Sequence, residues 1–126
     1  MKKILIVIAD YYEDISLSLL KSAKYKLNNF SLKVIKVPGV FEIPVTISKN
    51  IKKYDAFIAL GCVIKGETPH FDFISSASTH AIMNLSVESK KPIGNGIITC
   101  LNMKQAKARG KKGKEAAQAI ISVLSQ

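Results

Sequence analysis

Tryptophan is absent from this chain, cysteine occurs twice, and acidic residues are scarce, nine against nineteen lysines and arginines in 126 residues. Two cysteines cannot form a disulfide framework, so a reducing compartment, the cytoplasm, is expected. Cys62 and Cys100 both fall at strand ends and have no metal-ligand spacing with His70 or His80. No apolar run approaches the ~20 residues that a bilayer-spanning helix needs, which excludes a membrane partner of that kind. The apolar stretch 4–9 behind Lys2 and Lys3 is too short for a signal-peptide core, and no small-residue cleavage site follows it. No GxGxxG follows the first apolar run and no GxxxxGK[ST] occurs, so dinucleotide and P-loop readings lack support. There is no internal repeat and no low-complexity tract. The shortage of acids leaves a formal charge of +10, which raises nucleic acid as a partner. Along the sequence, however, the lysines are scattered over helix faces and ends, and only Lys111, Lys112 and Lys114 cluster. They read as solvated faces, with a field that suits a compact anionic substrate and no nucleic-acid partner.

What is present is apolar and periodic. Hydrophobic residues make up 48% of the chain and mean hydropathy is +0.17, the composition of one globular domain spanning residues 1–126. Lys3 to Ala9 is a continuous apolar, β-branched run, the mark of a buried parallel strand. A polar, aromatic loop, Asp10 to Asp14, leads to a helix from about Ile15 to Asn28, with Ile15, Leu19, Leu20, Ala23 and Leu27 on its inner face. Leu32 to Val37 is a second strand, stopped by Pro38-Gly39, and Pro44 suits the first turn of the next helix. Ala56 to Cys62 is strand three, broken at Gly61. A long helix runs from about Phe71 to Ser89, and Ile93 to Thr99 forms strand four, with Gly94 and Gly96 inside it leaving room for a close neighbour. A helical turn at Gln105 to Arg109, a break at Gly110–Gly113 and a closing helix from Glu115 to Leu124 complete the chain. Strands alternating with helices over short connections predict a three-layer αβα sandwich around a four-stranded parallel sheet, wound like flavodoxin. Right-handed crossovers put every strand-to-helix corner on one edge of that sheet. A phospho-acceptor receiver domain has a similar layout, but it needs an aspartate at the end of strand three, where this chain has Gly61-Cys62.

The most informative of those corners is LGCVIKGETPHFDF, Leu60 to Phe73. Its loop, Lys65 to Pro69, contains Gly66, whose lack of a side chain permits backbone angles that other residues avoid, and Pro69, which cannot extend a strand. Helical spacing then starts at His70, with Phe71, Ile74, Ala77, Ser78, Ala81, Ile82 and Leu85 on one face. A strand, a glycine loop and a helix start present free N–H groups at a positive dipole end, which suits phosphate. A histidine in the same turn can move protons near neutral pH. Many α/β corners of this kind hold no ligand, and a lone histidine is often structural; His80, in mid-helix, is read that way.

Three motifs taken together carry a more specific reading. VPGVFEIP (Val37 to Pro44), GCVIKGETPHFDF, and GIIT followed by Gln105-Ala106, Arg109 and GKEAAQAI occur in order over nearly the whole chain, and in this the chain resembles the lumazine synthases. That resemblance implies an enzyme of riboflavin synthesis, a transferase. It condenses 5-amino-6-ribitylamino-2,4-pyrimidinedione with 3,4-dihydroxy-2-butanone 4-phosphate, without cofactor or metal. It also implies roles for single residues. Tyr11 would stack on the pyrimidine, Val40, Phe41 and Glu42 would form the ribityl corner, and Cys62, Val63 and Ile64 would line the pyrimidine. Backbone N–H groups of Glu67 and Thr68, with the Arg109 guanidinium, would hold the phosphate. His70 would transfer protons, and Lys112 would lie near the ribityl chain. The implied partners are the two small-molecule substrates and further copies of the chain, in a homopentamer or a larger shell of pentamers, with sites between subunits. The chain departs from the family pattern at Tyr12, where an amide is usual, and at Lys65, where an arginine is usual. It departs again at Asn95, where an aromatic commonly faces the substrate, and in lacking the family's segment before strand one. Two other readings fit the composition: a catalytically idle carrier of a flavin-like ligand, and a nucleic-acid-binding α/β domain. Retention of both His70 and Arg109 opposes the first, and no motif asks for the second.

Overall fold

The computed structural model describes residues 1–126. Four strands, β1 (Lys3–Ala9), β2 (Ser31–Val37), β3 (Ala56–Ile64) and β4 (Ile93–Cys100), form one all-parallel sheet in the order β2-β1-β3-β4. Five α-helices connect and cover them: α1 (Glu13–Tyr25), α2 (Ile43–Lys49), α3 (His70–Ser89), α4 (Met103–Ala108) and α5 (Lys112–Leu124). A 3-10 turn at Val40–Glu42 precedes α2. This is the αβα sandwich with flavodoxin-like winding that the alternating pattern predicts.

The sheet divides its side chains between two cores by strict alternation. Ile4, Ile6 and Ile8 of β1, with Ile58 and Leu60 of β3, pack against Leu19 and Ala23 of α1 and Ala117 and Ile120 of α5. Leu5 and Val7, with Phe57 and Ala59, face Ile43 and Ile47 of α2 and Ile82 of α3. Every residue from Ile4 to Ile8 is at most 2% exposed, which is why β1 reads as an unbroken apolar run.

Several boundaries differ from the sequence reading. β3 does not stop at Gly61 but continues to Ile64, in register with β4 through Ile64↔Cys100. Gly61 serves packing instead: a Cβ there would lie 2.8 Å from Val40 Cγ2 and 3.3 Å from Ala9 Cβ. Gly66 has no positive φ, and a Cβ there would meet nothing within 4 Å. Its loop therefore does not depend on glycine's conformational freedom. Gly113 lies inside α5 instead of breaking it, because that helix packs so closely on α1 that a Cβ would collide with the Leu19 carbonyl. Gly94 does the same for β4, where the Ala116 backbone of α5 comes down onto the strand. Of the apolar face expected on α3, Ser78 and Ile82 are buried but Ala77 is exposed, and Leu20 of α1 is only half-buried. His80, read as structural, points to solvent. No helix is long and apolar enough to cross a membrane.

Candidate active site

Parallel strands deliver three corners to one edge of the sheet. At the first, Ser16 Oγ in the opening turn of α1 donates a buried 2.6 Å hydrogen bond to the Ala9 carbonyl, and Asp10 N donates to Val37 O at 3.3 Å. The loop between is thereby kept to three residues. Tyr11 projects from it, 72% exposed, and the half-buried Tyr12 meets its ring edge-on, centroids 4.9 Å apart at 78°. Partial burial, and next the neighbouring Tyr11 and Cys62, push the Tyr12 phenol above its ordinary value of 10.0.

At the second corner Val40 is buried against Gly61, and Phe41 is turned outward, 66% exposed. Glu42 ends the 3-10 turn; its carbonyl accepts from Thr46 Oγ1 at 2.8 Å. A Cβ on Gly39 would stand 3.2 Å from Glu42 Oε1, so the carboxylate folds back over the turn that precedes it.

The third corner extends the sheet beyond the last strand pairing, since Lys65 N donates to Cys100 O at 2.9 Å. The exposed loop of residues 65–69 then delivers His70 as the first residue of α3, with the Thr68 hydroxyl accepting from His70 N at 3.4 Å. Cys62 and Cys100 lie on adjacent strands, both buried and both free thiols. Burial above all, and then the Cys100 thiol beside it, push Cys62 up from an ordinary 9.0 to about 12. At neutral pH it is a neutral, polarisable wall and not a nucleophile.

These corners enclose a cavity of about 510 Å³, mostly apolar in its lining, the size and character of a small-molecule site. Tyr11, Val40, Phe41, Glu42, Cys62, Val63, Ile64 and His70 all line it. The lining also includes Gly39, Tyr12 and Ile74, which no motif had assigned to the site. Ile74 could have been found from its position one helical turn after His70, and Tyr12 from the aromatic doublet that it makes with Tyr11.

Four of the expected residues stand apart from that lining. Glu67 and Thr68 are exposed in the loop before His70. Asn102 caps α4 by accepting from Gln105 N at 2.9 Å, while Gln105 Oε1 accepts from Leu101 N at 2.8 Å. That cap sets the direction of α4, and Arg109 at its end donates from Nη1 to the Thr99 carbonyl at 3.1 Å. The guanidinium is thus pinned, exposed, at the same edge of the sheet. Asn95 sits earlier on β4, opposite Ala59, and its side chain accepts from Ile97 N at 3.0 Å. No three side chains among His, Cys, Asp and Glu come together as metal ligands would.

Comparison with known proteins gives this arrangement its context. The family model for 6,7-dimethyl-8-ribityllumazine synthase matches residues 1–126. The 6,7-dimethyl-8-ribityllumazine synthase 1 of Rhodopseudomonas palustris is 44% identical, over 97% of this chain and 83% of its own length. The synthase of Agrobacterium fabrum is 42% identical, over 96% of this chain and 91% of its own. A match over the full chain, together with the four-stranded 2-1-3-4 sheet and the cavity at its edge, leads to one assignment: the chain belongs to the 6,7-dimethyl-8-ribityllumazine synthase family.

Proposed function

We propose that the cavity at the edge of β3 is where this lumazine synthase joins 5-amino-6-ribitylamino-2,4-pyrimidinedione to 3,4-dihydroxy-2-butanone 4-phosphate, the penultimate step of riboflavin synthesis. The observation that carries the reading is convergence. Residues from three corners far apart in sequence, Tyr11, Val40 to Glu42, and Cys62 to His70, meet around one cavity of about 510 Å³. Tyr11 supplies an aromatic face for the pyrimidine, Cys62, Val63 and Ile64 its backbone and apolar surroundings, and Val40, Phe41 and Glu42 the ribityl corner, with Glu42 accepting from hydroxyls. The loop N–H groups of Glu67 and Thr68, just ahead of α3, and the Arg109 fork hold the phosphate.

The chemistry asks mainly that two reactants be held in register. The 5-amino group attacks the butanone carbonyl and loses water to give an imine. Phosphate leaves by elimination, the enol tautomerises, and the ribitylamino nitrogen closes the ring with loss of a second water. His70, exposed at the mouth of the cavity, carries protons between these steps. We read residues 1–126 as one domain that works as a homopentamer in the cytoplasm, where both substrates would be met. Supporting the assembly, Phe41, Val45, Phe73, Met83 and Val87 leave large apolar side chains exposed on the α2–α3 side of the chain. Mixing the purified protein with the two substrates should produce the lumazine chromophore with release of one phosphate per turnover. A folded protein that gives neither would overturn the reading.

A further inference from the structure

Folding changes the meaning of the lysines. In a parallel αβα sandwich all strands start, and all covering helices end, at the edge opposite the candidate active site. Lys2 and Lys3 open β1, Lys24 and Lys26 end α1, and Lys33 lies early in β2. Lys49, Lys52 and Lys53 lead from α2 to β3, and Lys90 and Lys91 lead from α3 to β4. Against these ten stand two acids on the same edge, Asp55 and Glu88. Asp55 is already engaged, its Oδ2 accepting from Lys3 N at 2.7 Å. Six of the nine acids, Asp10, Glu13, Asp14, Glu42, Glu67 and Asp72, sit at the other edge. Lysines that look scattered in sequence are therefore massed in space. Helix dipoles account for Lys24 and Lys49, in the last turns of α1 and α2. They do not account for Lys2, Lys3, Lys33, Lys52 or Lys53, which lie outside helices.

One cavity gives this charge a shape. Of about 650 Å³, it is lined by Lys3, Lys33, Lys52 and Lys53 with Ser31, Leu32 and Tyr54, and it contains no acidic residue. Lys24 and Lys26, at the end of α1, lie on the same edge. We propose that this lysine-rich edge binds single-stranded nucleic acid, away from the candidate active site. The breadth favours an extended polyanion over one small anion. Strands spaced about 4.8 Å apart put the lysines of β2 and those before β4 some 14 Å from each other, a span of several phosphates. Tyr54 lines the cavity, and Tyr25, between Lys24 and Lys26, is 75% exposed; aromatic faces among lysines suit unpaired bases. An anionic bilayer would instead favour a band of exposed leucine, phenylalanine or tryptophan, and the cavity has no such band.

The test uses the intact protein and a fluorescein-labelled 20-nucleotide oligo(U) at 50 mM KCl. Binding is expected, weakening about 50-fold at 200 mM KCl if roughly four phosphates are contacted. The variant Lys33→Glu/Lys52→Glu/Lys53→Glu should lose at least tenfold in affinity while its lumazine synthesis stays unchanged, which also shows that it has folded. Lys104→Glu/Lys114→Glu, outside that cavity and away from this edge, should lose less than threefold. Absence of binding at 50 mM KCl, or equal losses in the two variants, would overturn the proposal. So would binding to phosphatidylglycerol vesicles without binding to the oligonucleotide.

Discussion

At the scale of single residues, His70 and Cys62 share one cavity and predict opposite kinds of experiment. His70 is exposed at the cavity mouth, at the head of α3, where it can exchange protons with solvent and substrate without holding either in place. His70→Ala should lower kcat by about 10²-fold, the low end for a general acid–base group, and leave KM for both substrates within a few-fold. Steady-state kinetics with an unchanged kcat would remove it from the mechanism. Cys62 matters to stability instead. Its thiol is raised from 9.0 to about 12, so above pH 9 the unfolded chain ionises this group while the folded chain keeps the proton. The folded state then binds more protons, and stability must fall as pH rises between about 9 and 12. Replacing Cys62 with alanine removes this pH dependence. Relative to the variant, the parent chain should lose about 1–2 kcal/mol between pH 8 and pH 10.5, read from denaturation midpoints at the two pH values. Parallel alkaline losses in the two proteins would show that Cys62 does not contribute. Neither the raised thiol nor the edge-on Tyr11–Tyr12 contact was legible in the sequence. The first depends on how β3 and β4 align, which no local pattern reports, and the second on the side-chain orientations of two adjacent loop residues.

At the scale of elements, legibility followed the strength of the period. β1 is read from Lys3 to Ala9 in the sequence and spans the same residues in the fold, because five successive fully buried apolar side chains leave no alternative. The glycines were harder. Glycine costs a helix about 1 kcal/mol relative to alanine, so the sequence places a break at Gly113, yet the closeness of α5 to α1 outweighs that cost. The sequence reads Gly61 as the end of a strand and Gly66 as a position that uses unusual backbone angles, but one is a packing position inside a strand and the other stands in open space without a positive φ. The distinction can be measured. Gly94→Ala would drive a methyl into the Ala116 carbonyl of α5, a backbone atom that cannot swing aside. It should destabilise the protein by about 1–3 kcal/mol, as overpacking does. Gly66→Ala, with nothing within 4 Å and no positive φ, should change stability by less than about 0.5 kcal/mol. Equilibrium unfolding of the two variants decides the matter, and equal losses would mean that α5 yields where the fold suggests it cannot.

At the scale of the whole molecule, two residues expected at the site, Arg109 and Asn95, stand outside the cavity. Three corners wall the cavity, but Arg109 is pinned to Thr99 outside its lining, and Asn95 lies four residues before Thr99 on the edge strand β4. At about 3.3 Å per residue, that puts Asn95 some 13 Å back along the strand. Which corners meet could be read from the order of strands and helices. Where Arg109 and Asn95 act follows from no strand or helix order; only the family resemblance points to a site shared between subunits. In the proposed pentamer those two residues serve the cavity of the neighbouring subunit, brought there by a head-to-tail contact in which each chain gives and receives a different half of a site. His70→Ala and Arg109→Ala chains, each strongly impaired alone, should then complement one another. When equal amounts are refolded together, random placement around a closed ring makes about a quarter of the interfaces intact at both positions. Activity should recover to about that fraction of the parent protein. If mixed rings form and the mixture is no more active than its parents, His70 and Arg109 belong to the site of a single chain. The arginine would then have to reach the phosphate across its own sheet edge, by letting go of the Thr99 carbonyl.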